Sequence, residues 1–212
     1  MLRWIVPFTV AGALLAGSAR APIAERGELL LDEDFSGPVT FSAERWQPRQ
    51  STRWEVRDGV LFGQESTKQF QESRKDHQGF EPRLMIRNLP QEYITEFRFR
   101  VSRGEMTPIG AFLEWGHHMA RVSFQKDGLN FGVGGLQDTT ILARVKGFQL
   151  EPGHWYTVRA ELKGQKLHIR LGDDIELSAD HPMIAQQKDG LGFCGLRGGT
   201  MEIDDVKVWA VR

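Results

Sequence analysis

Trp54-Glu55-Val56-Arg57-Asp58-Gly59-Val60-Leu61 is a hairpin written in eight residues. Asp-Gly supplies the two positive φ angles that a two-residue turn between antiparallel strands requires, which places Val56 opposite Leu61 and Trp54 opposite Gly63. Apolar residues then meet apolar residues, and a slip of one position would turn each of them to the other face. The same reasoning applies at Asp127-Gly128, where it predicts Phe124 opposite Phe131 and Val122 opposite Val133. At Gly164-Gln165 it predicts Leu162 opposite Leu167 and Ala160 opposite Ile169.

Working outward, period-2 alternation recurs along the chain. Tyr93, Phe97, Phe99 and Val101 share one face of a strand whose other face carries Glu96, Arg98 and Arg100. Tyr156, Val158, Ala160 and Leu162 repeat the pattern, with Trp155, Thr157, Arg159 and Glu161 opposite. Near the C-terminus the parity changes between Met201/Ile203 and Val206/Val208, and a β-bulge at Asp204-Asp205 keeps all four inward. Helical periodicity is missing, and residues 64–80 read as the longest loop. Short strands at even spacing, divided by Gly, Asp and Asn, predict an all-β, two-sheet antiparallel jelly-roll sandwich.

The chain has 212 residues, 40% of them hydrophobic, which is enough for one substantial core. Residues 1–21 have the pattern of a signal peptide: Arg3, an apolar run from Trp4 to Leu15, and small residues at Ala19 and Ala21. The run is shorter than the roughly 20 residues that span a bilayer, so no integral membrane segment is expected after its removal. The mature protein is expected to be secreted or periplasmic, with 22–28 a linker and 29–212 a single sandwich domain. A formal charge of -1 gives no electrostatic footprint for nucleic acid. Cys194 is the only cysteine, so no intramolecular disulfide forms. Within Gly192-Phe193-Cys194-Gly195-Leu196 it reads as a small apolar residue of a buried strand.

The segment richest in chemistry is Glu114-Trp115-Gly116-His117-His118, followed by Arg121. An indole stacks on the C–H face of a sugar ring while carboxylate, imidazole and guanidinium groups bond its hydroxyls, so a saccharide or glycan is the expected ligand. Trp115, His118, Arg121 and Arg98 are the candidate substrate-binding residues. If the strands at 92–102, 110–116 and 117–126 are neighbours, Glu114 and Glu96 share a face and form a candidate acid–base pair for glycoside hydrolysis. A solvated ladder of cross-strand ion pairs is the alternative reading of the same residues. Asp34 near the first strand and Asp204 near the last are candidate oxygen ligands for a structural Ca²⁺, provided those strands pair.

Leu31-Asp32-Glu33-Asp34-Phe35-Ser36, the 54–61 hairpin, Pro152-Gly153-His154-Trp155-Tyr156-Thr157-Val158 and Ile203-Asp204-Asp205-Val206-Lys207-Val208-Trp209 together resemble the concanavalin A-like lectin and glucanase superfamily. Within it the chain is most similar to the 3-keto-disaccharide hydrolase family, which implies an exported, carbohydrate-directed hydrolase. The segment Thr107-Pro108-Ile109-Gly110-Ala111-Phe112 keeps only the glycine of that family's pattern. The next strand, Met119 to Phe124, lacks its carboxylate. Two functions therefore stand open at this point: a glycoside-type hydrolase, and a non-catalytic carbohydrate-binding or protein-interaction module on the same fold.

Overall fold

The computed structural model describes residues 21–135, 138–186 and 190–212. The leader read over residues 1–21 falls, but for Ala21, outside the described residues. In chain order the strands are β1 (Arg26–Glu33), β2 (Trp46–Pro48), β3 (Arg53–Arg57), β4 (Val60–Gln64), β5 (Arg83–Ile86), β6 (Tyr93–Val101), β7 (Phe112–Trp115), β8 (Ala120–Gln125), β9 (Gly128–Val133), β10 (Thr140–Lys146), β11 (Tyr156–Lys163), β12 (Lys166–Leu171), β13 (Ile175–Asp180), β14 (Leu191–Cys194) and β15 (Thr200–Val211). One short helix, α1 (Lys68–Ser73), lies in the segment read as a long loop.

The strands form two antiparallel sheets. Sheet A has the order β13-β12-β11-β6-β15-β4-β3, with β1 also paired to β15; sheet B has the order β10-β9-β8-β7-β14-β5-β2. Their inner faces enclose one core that includes Trp54, Leu61, Phe97, Phe99, Leu113, Trp115, Phe131, Phe193, Ile203 and Val208. The expected sandwich is the fold observed.

Local sequence explains much of the register. In the β3–β4 hairpin Val56 faces Leu61 and Trp54 faces Gly63, with Asp58 and Gly59 both at positive φ (52° and 74°). A Cβ on Gly63 would stand 2.5 Å from the Trp54 ring, so the bare glycine is what lets the indole lie against β4. The indole N–H donates to the Thr52 hydroxyl (3.1 Å) and the Arg83 carbonyl (3.0 Å), joining an edge of sheet A to sheet B. The β11–β12 hairpin also has its expected register.

The β8–β9 hairpin differs. Phe124 pairs with Leu129 and Val122 with Phe131, because the turn is made by Lys126-Asp127 and Gly128 already belongs to β9. The displacement is two residues, so every side chain keeps its predicted face.

The bulge in β15 is present: Asp204 pairs with Arg98 but Lys207 with Glu96, and Asp205 has φ 51°. Residues before it pair with β4 and residues after it with β1, so the bulge sits where β15 changes neighbour. The stretch read as a linker is already structured. Ile23 and Ala24 donate backbone N–H groups to the Glu161 carboxylate at 2.6 and 3.2 Å, and β1 opens at Arg26.

Candidate functional site

Four central strands of sheet B, β8-β7-β14-β5, turn alternate residues outward in two cross-strand rows. One row is Arg121, Glu114, Gly192 and Met85; the next is Ser123, Phe112, Cys194 and Arg83. Arg121 donates to Glu114 at 2.7 Å, and a ring nitrogen of His117 lies 3.2 Å from the other carboxylate oxygen. Gly192 makes room for this pair, since a Cβ there would stand 2.5 Å from Glu114 Cγ. Burial by itself would raise the pKa of Glu114. The hydrogen bond from His117 and the charge and hydrogen bond of Arg121 outweigh it and bring the carboxyl down to about 2. Glu114 is thus a fixed anion.

Over these rows lies a cleft of about 390 Å³, within the span of about 300–1,000 Å³ common for small-molecule sites. Its floor includes Phe112, Glu114 and Arg121, its wall is the segment Asp76–Glu81, and Arg49, Arg83 and Arg197 line its side. The wall is pinned: Ser66 donates its backbone N–H to the Gly79 carbonyl at 2.8 Å and its hydroxyl to the Gln50 carbonyl. A second recess of about 200 Å³ shares Ile109 and Arg121 with the cleft and continues over β8 and β9, past Ser123, Gln125, Asn130 and Thr139. The two form a groove across the outer face of sheet B, with charged groups at one end and amides and hydroxyls at the other.

The candidates named from sequence fall in three places. Glu114, Arg121 and His118 line the cleft, His117 and His118 occupying the β7–β8 turn with their rings 3.9 Å apart. Trp115 alternates to the other face of β7 and is fully buried in the core, so its indole is no stacking platform. Glu96 and Arg98 stand on the outer face of sheet A, with the whole sandwich between them and Glu114. This corrects the acid–base pair. Strand 92–102 is β6 of sheet A, whereas 110–116 and 117–126 contribute to sheet B. Glu96 pairs there with Arg26 and Arg159, and Arg98 with Asp204 and Asp205, the ion-pair ladder of the alternative reading.

The first and last strands do pair, as the calcium expectation required. The residues nevertheless do not suit the ion. Asp204 is engaged by Arg98 and by the Asp205 backbone N–H, Asp34 accepts from Ser36, and no group of three candidate ligands occurs among the described residues. Sequence reasoning missed Arg49, Arg83, Glu81 and Phe112. Phe112 alternates with the core residues Ala111 and Leu113, but only the pairing of β7 between β8 and β14 brings Arg121 and Arg83 to its ring. Arg83 heads an apolar strand and gives no signal beyond its charge.

No protein-family model and no curated protein sequence matches the chain. Solved structures do. A carbohydrate-binding module, CBM66 from Bacillus subtilis, superposes with TM-score 0.55 at 15% identity over 82% of this chain and 100% of its own. SCLam, a non-specific endo-β-1,3(4)-glucanase of family GH16, gives 0.57 at 12% identity over 89% and 95%. The fold is that of the jelly-roll lectins and glucanases. The exoplasmic/lumenal domain of VIP36, in a Ca²⁺/mannose-bound form, gives 0.52 at 10% identity over 80% and 84%. At these identities the likeness is one of fold, and chemistry rests on the site itself.

Proposed function

We propose that this protein is an exported carbohydrate-binding protein that holds a saccharide in the groove across the outer face of sheet B. The observation that carries the reading is the groove's composition: a buried Glu114–Arg121 pair, two histidines and an aromatic floor at one end, and neutral hydrogen-bonding side chains at the other. Sugar hydroxyls need both donors and acceptors held in place, and the two ends supply both. The leader-like residues 1–21 support export. The jelly-roll likeness to a carbohydrate-binding module, a lectin-type domain and a glucanase agrees with a saccharide ligand.

Binding is favoured over hydrolysis because Glu114, held ionised down to about pH 2, is not a general acid, and Glu96, the carboxylate expected beside it, lies on the other sheet. The test is a glycan array followed by titration of each hit. His117→Ala and Gln78→Ala, on the turn and the wall, are expected to weaken binding, and Arg98→Ala on sheet A to leave it unchanged. Loss of binding in Arg98→Ala alone, or no glycan bound at all, overturns the reading. Release of reducing ends from a bound oligosaccharide, abolished in Glu81→Gln, would replace it with the hydrolase.

A further inference from the structure

Two guanidinium groups converge on the floor of the cleft. Arg121 lies 4.2 Å and Arg83 5.6 Å from the centre of the same Phe112 ring, one from β8 and one from β5. Each uses part of its fork on a carboxylate: Arg121 on Glu114 at 2.7 Å, Arg83 on Glu81 at 3.6 Å. The Nε–H of each is buried, and among the described residues it has no acceptor. A buried donor on a cation left without an acceptor is costly, so both guanidinium groups keep uncompensated positive charge beside the cleft that they line. Arg49 lines the same cleft and donates to the neutral Gln47 side-chain carbonyl at 3.3 Å.

We infer that this end of the groove takes an oxyanion carried on the saccharide, a uronate carboxylate or a sulfate ester, received between Arg83 and Arg121 with Arg49 beside it. The deduction rests on the saccharide reading above and adds the ligand class to it. Arginine suits this task because its planar fork can bond a carboxylate on one edge and an incoming oxyanion on another. The Phe112 ring, 4.2 and 5.6 Å from the two cations, excludes water from the side on which it packs. Glu114 and Glu81 hold the forks in place and offset part of their charge, so the site favours one anionic group and is no general polyanion surface. Farther along the groove, Ser123, Gln125, Asn130 and Thr139 meet the neutral hydroxyls of neighbouring sugar units.

The experiment is calorimetric titration of the wild-type protein with a trigalacturonate, with the same trimer after carboxyl reduction, and with a sulfated galactose trimer. The expected result is binding about tenfold or more tighter for an anionic trimer than for the reduced one, the factor one charge-assisted hydrogen bond supplies. Whichever anionic trimer wins names the group. That preference should fall away in Arg83→Gln and, independently, in the half-buried Arg49→Gln, each with its thermal midpoint checked. Equal affinity for the reduced and the anionic trimers overturns the inference and leaves the saccharide reading intact. Binding of none of the three, on a protein that binds no glycan on the array, overturns both.

Discussion

Glu114 takes up its proton less readily in the folded protein than in the unfolded chain, because Arg121 and His117 hold the charged form. With the folded value near 2 and the ordinary value 4.5, its contribution is complete above about pH 4.5 and is lost as the pH falls towards 2. The amount is on the order of 3 kcal/mol. Denaturant titrations across this range are expected to show wild type losing stability on acidification. Glu114→Gln is already weakened at about pH 6 because it leaves a buried guanidinium unpaired, and it should converge on wild type near pH 2. Parallel curves for the two proteins would show that the pair is solvated. Trp115→Ala should cost about 3–5 kcal/mol, the usual loss for a large aromatic removed from a core, and glycan binding in the surviving folded fraction should be unchanged. Trp115 reads from its chemistry as a sugar-stacking residue, but it stands two positions from Leu113 on β7, and alternation puts both on the core face.

At the scale of the element, β15 shows how one residue sets the fate of a strand. The bulge keeps Val206 and Val208 in the core after Met201 and Ile203. Deleting Asp205 removes the one extra residue, so Ile203, Val206 and Val208 fall into regular alternation, all still facing the core while Lys207 still faces out. That variant is expected to keep its near-ultraviolet circular dichroism, as is Asp205→Gly, which suits φ 51°. An unfolded deletion variant would mean that the bulge is needed where β15 passes from β4 to β1. The β7–β14 pair offers a second test. Gly192→Ala drives a methyl into Glu114 Cγ, and because that carboxylate is held by two partners it cannot swing aside freely. A loss of about 1–3 kcal/mol with weakened glycan binding is expected, measured on the same preparation.

At the scale of the whole molecule, the sandwich holds together without a covalent staple. Its single thiol, Cys194, is fully buried beneath the groove, where burial pushes its pKa up to about 12. Thiolate is the reactive form, so a disulfide exchange reagent should label the native protein only as fast as it unfolds. Labelling rates measured across denaturant concentration are expected to follow the global unfolding curve. Rapid labelling in native buffer would show that the floor of the groove opens locally.

Alternation, turn chemistry and the parity change before Val206 are local, and they determined the sandwich, the inward faces, two of the three hairpin registers and the bulge from sequence alone. The third register missed by two residues because Gly128 supplied its conformational freedom to the start of β9 instead of to the turn. What the sequence could not order was the strands themselves. Which face a residue takes is set within its own strand, but which strands are neighbours is set by packing between segments far apart in the chain. That long-range choice placed Glu96 on one sheet and Glu114 on the other, and it gathered Arg49, Arg83 and Arg121 around Phe112 from three separate stretches of sequence. The groove is a product of tertiary structure because no single strand contains enough of it to leave a pattern.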